Sequence, residues 1–114
     1  MKTYIVKVPV SGSIEIVPFN EGDSYTQIHD AVGGYIEAAI IPAIATKENY
    51  TIDCFVDEEG LIKSPPLPCN LRLSTWANQR LVGNAVFVAH DDQGETVGLS
   101  REDADKIVAN FNEV

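Results

Sequence analysis

Two adjacent glycines, Gly33 and Gly34, divide the chain where its apolar pattern changes period. Before them, three apolar side chains fall on one helical face: Tyr25, Ile28 and Val32. After them, residues 35–41 form a nearly continuous apolar run, which is typical of a buried strand. Because glycine takes positive φ without steric cost, Gly33 is expected to end the helix. Since only Glu37 interrupts the apolar run that follows, we expect this strand in the middle of a sheet.

Most of the other segments indicate strands joined by tight turns. Residues 3–9 and 13–17 alternate in polarity on either side of Ser11 and Gly12, so they predict a hairpin. Further strand-like segments lie at 51–56, 81–89 and 95–97, and the last two flank a turn at 91–94.

Capping signals and one apolar stripe predict two helices. Ser24 with Gln27, and Ser100 with Asp103, have the spacing of a capping box. The stripe of the second helix is Ala104, Ile107, Val108 and Phe111. We therefore expect an α+β fold, a mostly antiparallel sheet of about five to six strands with two helices packed on one face. The length fits a single domain over residues 1–114, in which the proline-rich residues 64–68 are expected to be irregular.

The charge of the chain excludes some classes of function. With 17 acidic against 8 basic residues the net charge is −9, so direct nucleic-acid binding is not expected. The same charge suits a basic partner surface, although it also keeps a small protein in solution. No apolar run approaches the roughly 20 residues of a membrane span, and the first seven residues alternate like a strand and not like a signal peptide. We expect a cytoplasmic protein without membrane contact.

The cysteines and histidines do not have the spacing of a metal site. Cys54 and Cys69 lie 15 residues apart without a Cys-x-x-Cys pair, so we expect two reduced, buried thiols. His29 and His90 are isolated in the sequence, and the acidic residues 57–59 precede a glycine, as in a solvated turn. The sequence therefore predicts neither a metal nor another cofactor.

The acidic residues after His90 form the first candidate site. They are Asp91, Asp92, Glu95, Glu102, Asp103 and Asp105. Three of them stand in the first turn of the last helix, where the helix dipole favours negative charge and gives a purely structural reason for their presence. The functional interpretation is an acidic face that imitates phosphates and binds a basic partner.

A second candidate site lies in a basic segment, because residues 63–80 contain three cationic side chains and no acidic one. We consider a ligand-binding set that includes Asn70, Arg72 and Trp76, because cationic, amide and aromatic groups bind anionic metabolites or nucleotides. The structural interpretation is a loop that pins Trp76 into the edge of the core. Because neither a nucleophile with its base nor a pair of acids can be named, we do not expect an enzyme and assign no catalytic residue.

Several short motifs share an order and spacing with one protein family. They are Gly-Tyr-Ile-Glu at 34–37, Val-Asp-Glu-Glu-Gly-Leu at 56–61, Leu-Pro-x-Asn at 67–70, Leu-Val-Gly-Asn-Ala-Val at 81–86 and Leu-Ser at 99–100. Over about residues 30–105 the chain resembles a small uncharacterised family, a domain of unknown function from phages, plasmids and conjugative elements of Gram-positive bacteria. This resemblance implies a mobile-element setting, at times among antirestriction genes, and no transferable activity. Asn70 and Asn84 are polar members of the shared motifs, so the resemblance adds Asn84 to the ligand-binding set, although turn chemistry also explains both residues.

These observations lead to one main hypothesis and one alternative. The main hypothesis is a small, acidic, non-enzymatic accessory protein of a phage or mobile element. It would bind a host or defence protein in the bacterial cytoplasm, as a nucleic-acid mimic of the antirestriction or anti-CRISPR kind. The alternative is a small-ligand module that holds a nucleotide or an anionic metabolite. A homodimer is also compatible with the sequence, through an exposed edge of the first hairpin or of residues 51–56.

Overall fold

A computed structural model describes residues 2–112, without the side chain of Asn112. The strands are β1 (Tyr4–Val8), β2 (Glu15–Pro18), β3 (Ile36–Ala38), β4 (Tyr50–Asp57), β5 (Ala85–Asp91) and β6 (Thr96–Val97). The helices are α1 (Ser24–Val32), α2 (Leu71–Ala77) and α3 (Arg101–Asn112). The predicted α+β class is confirmed, whereas α2 was not predicted. No helix within the described part of the chain is both long enough and apolar enough to cross a membrane.

All strand pairs are antiparallel, as the sequence predicted. The strand order is β2-β1-β5-β4-β3, and β6 pairs with β5. Strand β5 is central, and its residues 86–89 are inaccessible to solvent. Phe87 lies opposite Val6 on one side and opposite Cys54 on the other. The predicted hairpins 3–17 and 81–97 are present as β1–β2 and β5–β6.

The expectation of two helices on one face is wrong, because the helices cover both faces of the sheet. Helix α1 packs over Val86 and Val88, whereas α2 and α3 pack over Phe87 and Ala89. Successive side chains of a strand point to opposite faces, and β5 is apolar at every position from 85 to 89. Both faces therefore require cover. The apolar pattern of α3 is confirmed, since Ala104, Ile107 and Phe111 are buried and Val108 is half-buried.

Strand β3 lies at the edge of the sheet, so its predicted place in the middle is wrong. After β3 the chain leaves the sheet, and residues 39–49 cross to the face covered by α3. There Ile41 and Ile44 pack against the core without belonging to a strand. Strand β4 lies between β5 and β3, so residues 51–56 are not the exposed edge that the sequence suggested.

The prediction that Gly33 ends α1 is confirmed. Gly33 adopts φ 89° and its N–H donates to the carbonyl of His29 at 2.7 Å, which ends α1. Gly34 is required by a close approach, since a Cβ at this position would lie 2.9 Å from Cγ of Asp57. The carboxylate of Asp57 is buried and accepts hydrogen bonds from Lys63 Nζ and from the N–H of Glu59.

Two local predictions need correction. The N-cap of α1 is Asp23 and not Ser24, because the Asp23 carboxylate accepts from the N–H of Thr26, while Gln27 binds the backbone of Asn20 and Pro18. The burial predicted for both cysteines holds only for Cys54, since Cys69 is exposed.

Candidate functional site

The β5–β6 turn carries three members of the predicted acidic face, Asp91, Asp92 and Glu95. Asp91 shapes the turn, because its Oδ1 accepts from the N–H groups of Gln93 and Glu95 at 3.0 and 2.9 Å. Asp92 and Glu95 are exposed. Within residues 2–112, no basic side chain forms a salt bridge with Asp91, Asp92 or Glu95. The turn therefore presents uncompensated negative charge.

The exposed acids of α3 differ, because each has a basic neighbour. Glu102 lies 3.2 Å from Lys47 Nζ, and Asp105 lies 3.1 Å from Nε of Arg101. Exposed pairs of this kind contribute only about 0–1 kcal/mol to stability, but they cancel charge locally. Within the predicted acidic face, the uncompensated charge therefore lies at the turn and not along α3.

Asp103, the sixth member of the predicted face, is 2% exposed and belongs to the interior. Its Oδ2 accepts hydrogen bonds from Tyr50 OH and Thr46 Oγ1, both at 2.5 Å, and Lys106 Nζ lies 3.6 Å from Oδ1. Burial alone would raise the pKa of Asp103, but these hydrogen bonds and the lysine outweigh it and lower the pKa. Asp103 ties the loop before β4 to α3 and cannot contribute to an exposed partner site.

A groove of about 450 Å³ opens beside the turn. It exists because β4 begins where β5 ends, with Tyr50 opposite Asp91 and Thr51 opposite His90. The groove is lined by Glu48, Asn49, Tyr50, Thr51, His90, Asp91, Asp92 and Gly94. Its three carboxylates provide acceptors that suit an ammonium or guanidinium group.

His90 and Asp53 form a pair at this groove that the sequence analysis missed. Nδ1 of His90 lies 2.6 Å from Oδ2 of Asp53. Asp53 lies opposite Val88 and therefore points to the same face as His90, two positions further along β5. The contact holds the ring through Nδ1 and leaves Nε2 as its second polar atom. Only the register of β4 on β5 reveals this pair, because the two residues are 37 positions apart.

Each residue of the alternative ligand-binding set has a partner within the protein. Asn70 is inaccessible to solvent; its Nδ2 donates to the carbonyls of Val8 and Gly83, and its Oδ1 caps α2 at the N–H of Leu73. Arg72 donates to the carbonyl of Pro9 at 2.7 Å.

The two remaining members of that set are also engaged. Asn84 accepts from the N–H of Val10 at 3.0 Å. The ring of Trp76 meets Phe87 and Phe111 at centroid distances of 5.8 and 5.5 Å. This arrangement ties α2 to the first hairpin and to the core, so it supports the structural interpretation of the segment. The small-ligand interpretation stays a prediction.

The acidic residues 57–59 do not form a cluster that suits a cation. Asp57 points inward to Lys63, whereas Glu58 and Glu59 are exposed. In the part of the chain that the structure describes, no three His, Cys, Asp or Glu side chains are grouped as metal ligands.

Comparison with known proteins identifies the family. The family model described as "Domain of unknown function (DUF3846)" matches residues 1–112. Because the match spans nearly the whole chain, the protein belongs to this family. The match includes the N-terminal hairpin, which the motifs found in the sequence had left out. No curated protein and no solved structure matches the chain.

Proposed function

We propose that this member of the DUF3846 family is a non-enzymatic accessory protein of a phage or mobile element that binds a basic surface of a host or defence protein. The observation that carries the proposal is the uncompensated charge of Asp91, Asp92 and Glu95 at one exposed turn. The net charge of −9 adds a long-range field of the same sign. The setting is the bacterial cytoplasm.

The partner surface would dock at the β5–β6 turn and place a cationic side chain in the groove. Asp91, Asp92 and Glu48 line the groove, so three carboxylates are available to such a side chain. A guanidinium group can bind such oxygens through two parallel hydrogen bonds. Groups of this kind normally bind phosphates in nucleic-acid grooves, so the protein would compete with nucleic acid for the same surface.

Neutralising the turn tests this mechanism. In the variant Asp91→Asn, Asp92→Asn, Glu95→Gln the amides keep the size of the side chains, and an amide oxygen at position 91 can still close the turn. If each charge contributes about 0.5–1 kcal/mol to binding, the loss of three weakens binding roughly 10-fold to 150-fold. The assay is affinity capture from bacterial lysate, followed by competition with duplex DNA for the captured protein.

A matched control separates the turn from the total charge. The variant Glu15→Gln, Glu58→Gln, Glu59→Gln also removes three exposed carboxylates, none of which lines the groove. The proposal expects the control to capture the same partner as the wild type, and duplex DNA to displace it. Capture that survives in the turn variant, or falls equally in both variants, would refute the role of the turn.

A further inference from the structure

Exposed apolar side chains gather around strand β3, at one edge of the sheet. They are Tyr35 at 64% exposure, Ile40 at 84%, Leu61 at 55% and Ile62 at 78%. Leu61 lines the same cavity as Glu37 of β3, and the carbonyl of Tyr35 accepts from the N–H of Glu58 at the start of the next turn. Exposed apolar side chains beside an unpaired sheet edge favour contact with another protein chain.

The backbone of β3 is also free to extend the sheet. Tyr35 and Ala39 use their backbone groups toward β4, through hydrogen bonds of 2.7 and 2.8 Å to Glu58 and Cys54. Because backbone direction alternates along an antiparallel strand, the N–H and C=O of Ile36 and Ala38 point away from β4. The opposite edge differs, since the four residues of β2 end with Pro18, which lacks an N–H to donate.

We propose that β3 pairs antiparallel with β3 of a second copy of this chain, about a two-fold axis at Ala38. This register brings Ile36 of one copy opposite Ile40 of the other and places Ala38 opposite itself. Residues 36, 38 and 40 have the order isoleucine, alanine, isoleucine, which reads the same in both directions. A two-fold interface requires a surface complementary to itself, and this spacing provides one.

The charges at this edge fit the same arrangement. Glu37 and Arg80 line one cavity and are both exposed, and within residues 2–112 neither forms a salt bridge. Gln79 donates to the carbonyl of Ile40, so the neighbouring Arg80 lies at the Ile40 end of the edge. In the dimer this carbonyl accepts the N–H of Ile36 of the other copy through its second lone pair. The two-fold axis brings this end beside Ile36 and Glu37 of the other copy. Each Arg80 then meets the Glu37 that its own copy leaves unpaired.

Main-chain pairing can be removed without disturbing the fold. In Ala38→Pro the lost N–H points outward, and proline is tolerated on edge strands. Ile40→Lys places a charge where the two copies meet, and Leu71→Lys, at a side chain 72% exposed on α2, is its matched control. Light scattering over a concentration series measures the dimer Kd, and circular dichroism verifies folding. We expect both edge variants to raise Kd at least about tenfold and the control to leave it unchanged.

A charge exchange tests the register. Glu37→Arg and Arg80→Glu should each weaken the dimer, and their combination should restore it. A double variant that dimerises no better than the single ones overturns the two-fold arrangement at Ala38. Wild type that remains monomeric throughout the series, or a dimer that tolerates Ile40→Lys, overturns the proposal. In that case the β3 edge would be available to pair with a strand of a different protein.

Discussion

The buried carboxylate of Asp103 joins the loop before β4 to α3, and its contribution to stability can be tested directly. The substitution Asp103→Asn keeps the shape of the side chain and removes its charge. In the wild type, Oδ2 accepts from both Tyr50 and Thr46, and Lys106 lies near Oδ1. An asparagine oxygen can still accept from both hydroxyls, but these hydrogen bonds become neutral ones.

The magnitude follows from the change in hydrogen-bond type. A hydrogen bond to a charged group contributes about 1.5–3 kcal/mol and a neutral one about 0.5–1.5 kcal/mol, so each loses roughly 1 kcal/mol. Two such bonds give a loss of about 2 kcal/mol in the free energy of unfolding. For a domain of this size, 1 kcal/mol corresponds to about 4 °C in Tm, so we expect a decrease of about 8 °C.

The assay is thermal and urea unfolding, with Asp105→Asn as the matched control. Asp105 stands on the same helix and loses the same charge, but its side chain is 60% exposed in a surface pair. We expect the control to cost less than about 1 kcal/mol.

The effect of Asp103→Asn should depend on pH in a defined direction. The hydrogen bonds lower the pKa of Asp103 in the folded protein despite its burial. The stabilisation is therefore complete above the unfolded value of about 4 and is lost as pH falls through the lower folded value. The difference between wild type and Asp103→Asn should shrink below about pH 4. A variant as stable as Asp105→Asn at neutral pH would contradict the interior role of Asp103.

Two further predictions concern local packing and reactivity. Gly34→Ala forces a Cβ against the Asp57 carboxylate and should cost about 1–3 kcal/mol, whereas Gly22→Ala, whose Cβ would meet nothing closer than 3.6 Å, should cost less than about 1 kcal/mol in urea unfolding. In the native protein a maleimide should label exposed Cys69 and spare Cys54, because burial raises the pKa of the Cys54 thiol to about 12. Mass spectrometry after digestion locates the label, and equal labelling of both cysteines would contradict the burial of Cys54.

The elements of the fold were predictable where a local cause determines them. Gly33 ends α1 because glycine takes the left-handed conformation, and the apolar period of residues 104–111 specifies α3. Helix α2 was not predicted because it is only seven residues long and follows the proline-rich segment 64–68, and Asn70 is its capping residue.

The arrangement of these elements depends on contacts that no local pattern encodes. Strand β5 is apolar on both faces, so its sequence cannot show that α1 covers one face and α3 the other. Residues 35–41 were predicted as a central strand because only Glu37 interrupts their apolar run, yet Ile41 packs against the core from a loop on the α3 face.

The same distinction explains which residues of the predicted acidic face are exposed and which are buried. A carboxylate near the start of a helix satisfies the dipole whether it is exposed or buried, so the sequence could not separate Asp103 from Glu102. The separation comes from Tyr50 and Thr46, which the chain brings to Asp103 through the loop before β4. Tyr50 also lines the groove beside Asp91, where β4 begins and β5 ends. Asp103 therefore holds one lining residue of the groove from the interior, while the turn carboxylates supply its charge. Removing Asp103 should loosen Tyr50 without changing the exposed acids.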